Sequence, residues 1–340
     1  MNKFPKVTII TCTYNGDYVI EDFLKNLLSQ DYSLDKMEIL LGDGGSKDKT
    51  IGIIKKFEKT YPKQIRYIHN KNQYSEGRGM GKDMLTKMAN GEILVILDQD
   101  NLLVQKDWLS RSVKILLNNK NIDCVQSRMM SSKNSSLVDK YLNSLGIEDP
   151  FASNYSLNAQ ITLNPNKFPY NKEGDFFVYR GNVNNLLYAG GDGFIIWKKR
   201  LFDSGGYTQD TDNSYRMAKN KFNIAVPRTL RFHHKTSTEF FKYFKKRLYF
   251  VQHFLLKNMD ERDFRWLDFN NNTFSQNMKF FKTVFFNLAF IPGLIQGISK
   301  ALKDKKAFWL IHPFVLQLLT LGYIYSFFYV KIFKKSGVEY

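Results

Sequence analysis

Cysteine is scarce in this chain, with only Cys12 and Cys124 among 340 residues. Neither sits at a metal-ligand spacing, so the pair reads as two buried thiols of a reducing compartment. A secretory signal is lacking too. The apolar run Val7 to Cys12 is far shorter than a signal h-region and leads into the polar Tyr14-Asn15-Gly16-Asp17. This part of the chain is therefore expected in the cytoplasm, and acceptor-like triplets such as Asn134-Ser135-Ser136 are expected to be chance. Internal repeats are absent. Acidic residues are outnumbered, 32 against 50 basic ones, and the net charge of +18 points to an anionic partner. Nucleic acid, a nucleotide diphosphate and an acidic membrane face all suit that balance. A hydrophobic content of 43% excludes disorder. The length suits one large α/β domain with an added element, or two domains.

What is present is a strand-helix alternation. Val7 to Thr11 is short and β-branched, and Asn15-Gly16-Asp17 turns the chain. Ile20, Phe23, Leu24, Leu27 and Leu28 then recur at helical spacing. Met37 to Leu41 predicts a second strand closed by Gly42-Asp43-Gly44-Gly45-Ser46. Ser46 is expected to cap a helix carrying Ile51, Ile54 and Phe57. A short strand at Ile65 to Ile68 and a helix from Met80 to Met88 follow. Ile93 to Leu97, apolar on both faces, marks a central parallel strand. This order predicts an α/β doubly wound, mostly parallel sheet with ligands at the strands' carboxyl ends. From 120 to 190 the pattern weakens, and it returns at Gly190-Gly191-Asp192-Gly193 before Phe194 to Trp197 and a helix near Lys198.

After residue 238 the composition changes. Phe240, Phe241, Phe244 and Leu248 share a helical face with Lys242, Lys245, Lys246 and Arg247 around it, the makeup of an interfacial helix. An amphipathic helix packed on the domain has the same pattern. Ala307 to Val330 carries no charge and is long enough to cross a bilayer. Thr283 to Ser299 is also uncharged, but it is shorter and contains Pro292 and Gly293. Two crossings would put Lys300, Lys303, Lys305 and Lys306 outside, against the positive-inside tendency. One or two helices lying in the cytoplasmic leaflet are the expectation, with a helical hairpin left open.

Three groups of residues carry chemistry. Asp98-Gln99-Asp100 ends the buried strand, where two acids are costly unless a cation neutralises them. A Mg²⁺ or Mn²⁺ ion bridging diphosphate oxygens would do so, although an isolated Asp-x-Asp is commonly a pair of solvated loop acids. Asp43 ends the second strand, where a carboxylate can accept from a base N–H while the glycines allow close approach; Asp-Gly-Gly is also a good turn. Glu76 to Lys82 opens a helix with small residues, and Arg78 and Lys82 add positive charge that suits a diphosphate. It has neither the spacing of a P-loop nor the place of a dinucleotide fingerprint.

Together these segments resemble the inverting family 2 glycosyltransferases of GT-A fold. The matching pieces are Thr11-Cys12-Thr13-Tyr14-Asn15, Gly42 to Thr50, Gly79 to Asp83 and Leu97-Asp98-Gln99-Asp100-Asn101, over roughly residues 5 to 240. Gly190 to Gly193 with Phe194-Ile195-Ile196 looks like the family's acceptor-side loop and strand. Gln209-Asp210-Thr211-Asp212, with Arg216 beyond, looks like its Glu-Asp-x-Asp…Arg segment. By itself that stretch is also a helix-capping acidic loop. The resemblance implies a GT-A domain over 1–238, with a nucleotide-binding half (1–101) and an acceptor half (102–238), and membrane-associating helices over 239–340. It makes Asp210 the general base. Thr13, Tyr14, Asp43, Lys82, Asp98 and Gln99 become nucleotide-binding, and Asp100 becomes the metal ligand; one of His233 and His234 reaches the metal or diphosphate, with His233 favoured on its spacing to Ser237 and a packed or surface His the alternative. Gly191, Asp192, Gly193, Gln209, Asp212 and Arg216 fall on the acceptor side. Gln209 stands where the family usually has Glu, and Lys82 where it usually has Arg, which turns a bidentate contact into a point charge.

The implied reaction moves a sugar from a UDP- or GDP-sugar to a hydroxyl of a lipid-linked saccharide at the cytoplasmic face of the membrane, in cell-surface glycan or glycoprotein glycan assembly. A polyprenyl-phosphate sugar synthase and an inactive, membrane-bound sugar- or nucleotide-binding protein are the alternatives. A nucleotidyltransferase would want a basic Gly-rich loop where Thr13 to Asp17 stands. A nucleic-acid partner is not expected, since the basic residues cluster beside aromatics in the tail. One or two tail helices cannot form the channel of a processive synthase.

Overall fold

The computed structural model describes residues 4–155, 157–158, 170–234, 239–252, 256, 262–264 and 273–334. Ser237 lies outside them. The chain divides into two compact units, Met1–Met130 with Gln160–His234, and Ser131–Ala159 with Lys235–Tyr340. The stretch 131–159, which the sequence reading left in the acceptor half, thus belongs to the second unit.

The first unit is built on β1 (Val7–Thr13), β2 (Met37–Asp43), β3 (Ile65–His69) and β4 (Ile93–Ile96), connected through α1 (Ile20–Leu28), α2 (Thr50–Thr60) and α3 (Gly81–Met88). These strands are parallel in the order β3-β2-β1-β4. Side chains alternate between two cores. Ile9, Ile39 and Val95 pack on one face, while Ile10, Leu40 and Ile96 pack on the other, which is why these strands read as unbroken apolar runs. A buried polar clasp fixes their feet. Glu38 accepts from the Thr8 hydroxyl at 2.6 Å and from the Asn90 backbone at 2.8 Å, and the Gly91 N–H donates to Thr8 Oγ1 at 2.8 Å.

Beyond β4 come β5 (Asn101–Leu103), α4 (Trp108–Asn118), β6 (Cys124–Gln126), β7 (Arg128–Met130), α5 (Leu137–Leu145), α6 (Pro150–Tyr155), β8 (Leu157–Asn158), β9 (Tyr170–Asn171), β10 (Phe176–Arg180) and β11 (Leu186–Leu187). Next are β12 (Phe194–Trp197), α7 (Lys198–Asp203), α8 (Asp210–Lys219), β13 (Asn223–Pro227) and β14 (Arg231–His234). The large sheet continues β4-β12-β6-β13-β10-β9, with β12 antiparallel to both neighbours. It is a mixed α/β sheet in which the first four strands, and β6 with β13, pair in parallel. A second sheet, β5-β14-β7, stands beside it. Strands of two to five residues account for the weak pattern between 120 and 190, because so short a run shows no period.

One local expectation is corrected. Ser46 does not cap α2, whose N-cap is Lys49. The Thr50 N–H and hydroxyl donate instead to Asp48 Oδ1, and Ser46 turns back toward β2.

The second unit is helical: α5, α6, α9 (Phe240–Phe250), α10 (Phe274–Leu288), α11 (Ile291–Asp304), a 3₁₀ turn at Ala307–Ile311 and α12 (His312–Lys334). Trp309, Tyr141, Phe151 and Tyr243 are buried in it. Exposed apolar residues form one stripe per helix. They are Phe274, Met278, Phe281 and Phe285 on α10, and Ile291, Ile295, Ile298 and Leu302 on α11. On α12 they are Phe314, Leu318, Leu321, Tyr325 and Phe328. The uncharged run from Thr283 to Ser299 is not one rod, because α10 and α11 meet at a 75° bend. Pro292 opens α11, and Phe290 takes a left-handed φ of 55°. Ala307–Ile332 is long and apolar enough to cross a membrane, yet half of its apolar window is buried inside the protein. Phe244 and Leu248, expected on a free interfacial face of α9, pack instead against α12 at Gly322.

Candidate active site

The carboxyl ends of β1, β2 and β4 meet where the strand order reverses, the place a ligand crevice is expected. Three loops are tied together there. Gln99 Nε2 donates to the Tyr14 carbonyl at 3.1 Å, and its Oε1 accepts from the Tyr14 N–H at 3.3 Å. A side chain on Gly16 would strike Gln99 Oε1 at 2.2 Å. The Asn15 N–H donates to Ser46 Oγ at 2.9 Å, and Asn15 Oδ1 accepts from the Lys47 N–H at 2.9 Å. Gln99 is thus a strut between the β1 and β4 loops. Asp43 is fully buried and accepts from the Ser46 N–H and hydroxyl at 2.9 and 2.7 Å. Its oxygens hold the loop rather than face solvent. Thr13 is buried, with Oγ1 unpartnered among the described residues, whereas Tyr14 is 55% exposed.

Lys82 is the centre of the site. Its side chain is 1% exposed, and Nζ lies 3.0 Å from Asp98 Oδ1, 3.5 Å from Glu76 and 3.8 Å from Asp210 Oδ1. Burial by itself would lower its pKa; Asp210, Asp98, Tyr207 and Glu76 outweigh that and hold the ammonium well above its ordinary value. The glycine-rich segment before it is not an open anion cradle. The N–H groups of Gly77, Gly79, Gly81 and Lys82 donate to Thr208 O, Asp83 Oδ2, Tyr74 O and Ser75 O.

Asp98, Asp100 and Asp192 converge near His234. Its Nε2 stands 3.6 Å from Asp100 Oδ1 and 3.7 Å from Asp192 Oδ2. Burial pushes the Asp98 carboxyl up, but Lys82, His234 and a hydrogen bond from Asp192 bring it below the ordinary value. Asp192 is held well above it, by burial first and by the Asp98 charge next. His233 is placed elsewhere. On β14 the side chains alternate, and His233 Nδ1 lies 3.0 Å from the Met130 carbonyl while buried His234 faces the acids. His234, and not His233 as expected, is therefore the ring that lies beside Asp100. Pairing with β5 sets His234 opposite Asn101, next to Asp100.

Asp210 is the first residue of α8, where the helix dipole favours a carboxylate. Tyr188 donates to its Oδ2 at 2.9 Å, and the Tyr207 hydroxyl donates to Oδ1. Gly191 forms the facing wall, where a Cβ would lie 2.2 Å from Asp210 Oδ2. Gly193 (φ 65°) lies against Phe232, where a Cβ would meet the ring at 2.4 Å. Gln209 is the N-cap by its backbone, and its buried Oε1 has no partner among the described residues. Buried Asp212 accepts from Thr208 at 3.3 Å. Arg216, buried, donates to the carbonyls of Gly205 and Gly206 at 2.9 and 2.8 Å, fixing the turn that delivers Tyr207.

The model of glycosyl transferase family 2 matches residues 8–181, half of the chain. The chain belongs to that family. Among curated relatives it is 24% identical over 226 residues to an Escherichia coli UDP-Glc:alpha-D-GlcNAc-diphosphoundecaprenol beta-1,3-glucosyltransferase, covering 64% of this chain and 84% of the relative. Over 100 residues it is 30% identical to a Campylobacter jejuni GalNAc(5)-diNAcBac-PP-undecaprenol beta-1,3-glucosyltransferase, covering 29% of this chain and 31% of the relative. The solved mannosyltransferase of Pyrobaculum calidifontis, in complex with GDP-Man and Mn²⁺, superposes with a TM-score of 0.58 at 17% identity. That match covers 95% of this chain and 88% of the other and shows the shared fold. The protein is a transferase enzyme with the GT-A fold.

In this family 2 glycosyltransferase, the site also brings in Tyr188 and Tyr207, which the sequence did not single out, and Glu76 and His234, which stand beside residues that it did. The tyrosines had no motif to signal them, and they reach Asp210 only through the loops preceding α8. Glu76 was legible as an acid beside Arg78 and Lys82. His234 could have been preferred over its neighbour from strand alternation alone, because Phe232, an apolar residue, shares its face. Among the described residues no group of three or more His, Cys, Asp or Glu is arranged so that it could hold a metal ion by itself.

Proposed function

We propose that this enzyme is an inverting glycosyltransferase that uses a UDP- or GDP-sugar and a lipid-linked saccharide at the cytoplasmic face of a membrane, with Asp210 as general base. The observation that carries the reading is buried Lys82, which joins the strand-end acid Asp98 to the acceptor-side acid Asp210 in one site. In the proposed step the acceptor hydroxyl oxygen attacks the anomeric carbon, the bond from that carbon to the diphosphate breaks, and the hydroxyl proton passes to Asp210. Tyr188 and Tyr207 fix the carboxylate for that transfer, and Gly191 leaves the approach open. Lys82, close to both acids, can compensate charge appearing on the leaving diphosphate.

A divalent cation fits the acids. Asp192 Oδ1 is buried and unpartnered among the described residues. Carboxylate oxygens with one imidazole are a donor set suited to Mg²⁺ or Mn²⁺. Asp100 and His234 would hold the ion together with substrate phosphates, since no three such side chains among the described residues form a metal site by themselves. Such an ion supplies charge neutralisation for the leaving group. The lipid-linked acceptor is supported by the undecaprenol-linked substrates named for both relatives and by the apolar helices of the second unit.

The reading is tested by release of nucleoside diphosphate from a panel of UDP- and GDP-sugars with Mn²⁺ or Mg²⁺ and an undecaprenyl-diphosphate-linked saccharide. Asp210→Asn should abolish transfer and leave donor binding intact. Wild-type turnover by that variant would remove the base assignment, and a panel with no turnover would remove the proposed donor and acceptor classes.

A further inference from the structure

The second unit buries polar clusters beside its aromatic core and leaves apolar stripes outside. Inside it, Arg247 donates to Asp149 at 2.6 Å, and the Tyr323 hydroxyl donates to the same carboxylate at 2.9 Å. Asn287 donates to Thr320 at 3.2 Å and accepts from Asn154 at 3.0 Å. Outside, α10, α11 and α12 each carry an apolar stripe, with Phe285 76%, Ile295 62% and Leu321 54% exposed. Exposed apolar residues repeated along three helices mark a contact face. Its rim is basic: Lys279 and Lys282 lie on α10, Lys303, Lys305 and Lys306 follow α11, and Lys331 ends the stripe of α12, all exposed. Hydrocarbon against the stripes and anionic headgroups against the lysines satisfy both features.

Packing decides the depth. The other face of α12 is already occupied at mid-length, since a Cβ at Gly322 would meet Leu248 and Phe244 of α9 at 2.5 and 3.0 Å. Gln252 also donates to Ser326 at 3.0 Å. Helix α9 exposes Lys242 and Lys246, 70% and 58% accessible, along with Lys245. Were α12 to cross, its middle would carry these lysines into hydrocarbon, where charge is costly. We propose that the second unit docks in the plane of an anionic bilayer through the three stripes and does not span it. This rests on the membrane-surface part of the function proposed above and adds the depth and the lipid charge.

The test is flotation of the full-length protein with phosphatidylcholine vesicles, with and without phosphatidylglycerol. Roughly tenfold stronger binding with the anionic lipid, weakened by salt, is expected. Combining Phe285→Glu, Ile295→Glu and Leu318→Glu should abolish flotation without changing the far-UV circular dichroism. Depth is read from Lys306→Cys and Lys331→Cys, made singly and treated with an impermeant maleimide on sealed vesicles. Labelling of both from outside is expected. Protection of either until detergent is added would overturn the in-plane arrangement while leaving membrane binding intact. Failure to float, with the stripes buried in a dimer of this chain, would overturn docking altogether. Nucleoside diphosphate release in detergent reports on the first unit independently of either result.

Discussion

A single methyl group placed opposite Asp210 probes whether that carboxylate must stand where it does. Gly191→Ala puts a Cβ 2.2 Å from Asp210 Oδ2, and the oxygen must retreat by about 1.2 Å to regain an ordinary 3.4 Å contact. Asp210 has little freedom to yield. Its side chain is short, and Tyr188 and Tyr207 hold one oxygen each. A displacement of about 1 Å in a reacting group costs on the order of 10²-fold in rate, equivalent to about 2.7 kcal/mol on the barrier. The expected result is a kcat lower by roughly that factor with the KM for donor little changed, because the proposed donor contacts lie at the ends of β1, β2 and β4. Gly52→Ala is the control. Nothing lies within 4 Å of its added Cβ, and it sits in α2. That change should leave kcat alone and raise stability by about 0.5–1 kcal/mol. Steady-state kinetics with urea midpoints for both variants make the comparison. Wild-type kcat in a folded Gly191→Ala enzyme would refute the argument that Asp210 is positioned for the chemistry.

Three further outcomes are expected. Tyr188→Phe leaves Asp210 Oδ2 without its 2.9 Å donor, so kcat should fall about fivefold with donor KM unchanged, a net hydrogen bond being worth about 1 kcal/mol; a change in KM alone would assign Tyr188 to binding. Glu38→Gln weakens the clasp at the foot of the sheet and should lower stability at pH 7 by about 2 kcal/mol, the scale of a hydrogen bond to a charged group. Burial pushes the Glu38 carboxyl up, but Thr8, Asn90 and Lys6 hold it below its ordinary value. Its stabilisation is therefore complete above pH about 4.3 and is lost as pH falls through the depressed folded value, so urea midpoints of variant and wild type should converge in acid. Both thiols should resist alkylation. Burial, against Lys82 and helped by Asp98 and Glu76, pushes Cys12 up to about 12, and burial holds Cys124 well above its ordinary value. Iodoacetamide at pH 8 should label the native protein roughly 10³-fold more slowly than the denatured one, and rapid native labelling would contradict that burial.

Local pattern and composition settled a good deal of this molecule. Val7 to Thr11, Met37 to Leu41 and Ile93 to Leu97 announce buried parallel strands because a strand covered on both faces must be apolar at every position. The turns at Asn15, Gly44 and Gly91 follow from residue types that relieve the backbone. Placing acids at the ends of β2 and β4 needs only that strand order. The partners of those acids were not legible. Lys82 meets Asp98 and Asp210 only after α3 and α8 have been brought to one crevice, and nothing near residue 82 encodes that distance. Tyr188 and Tyr207 look like ordinary core aromatics until their hydroxyls reach Asp210. His233 and His234 are one residue apart, and the pairing of β14 with β5 decides which ring meets the acids. The tail makes the same point at larger scale. Its apolar content was visible in sequence, but a run such as Ala307 to Val330 reads alike whether it spans, packs or lies flat. Only the contacts of α9 with one side of α12 show which half of that helix is left exposed.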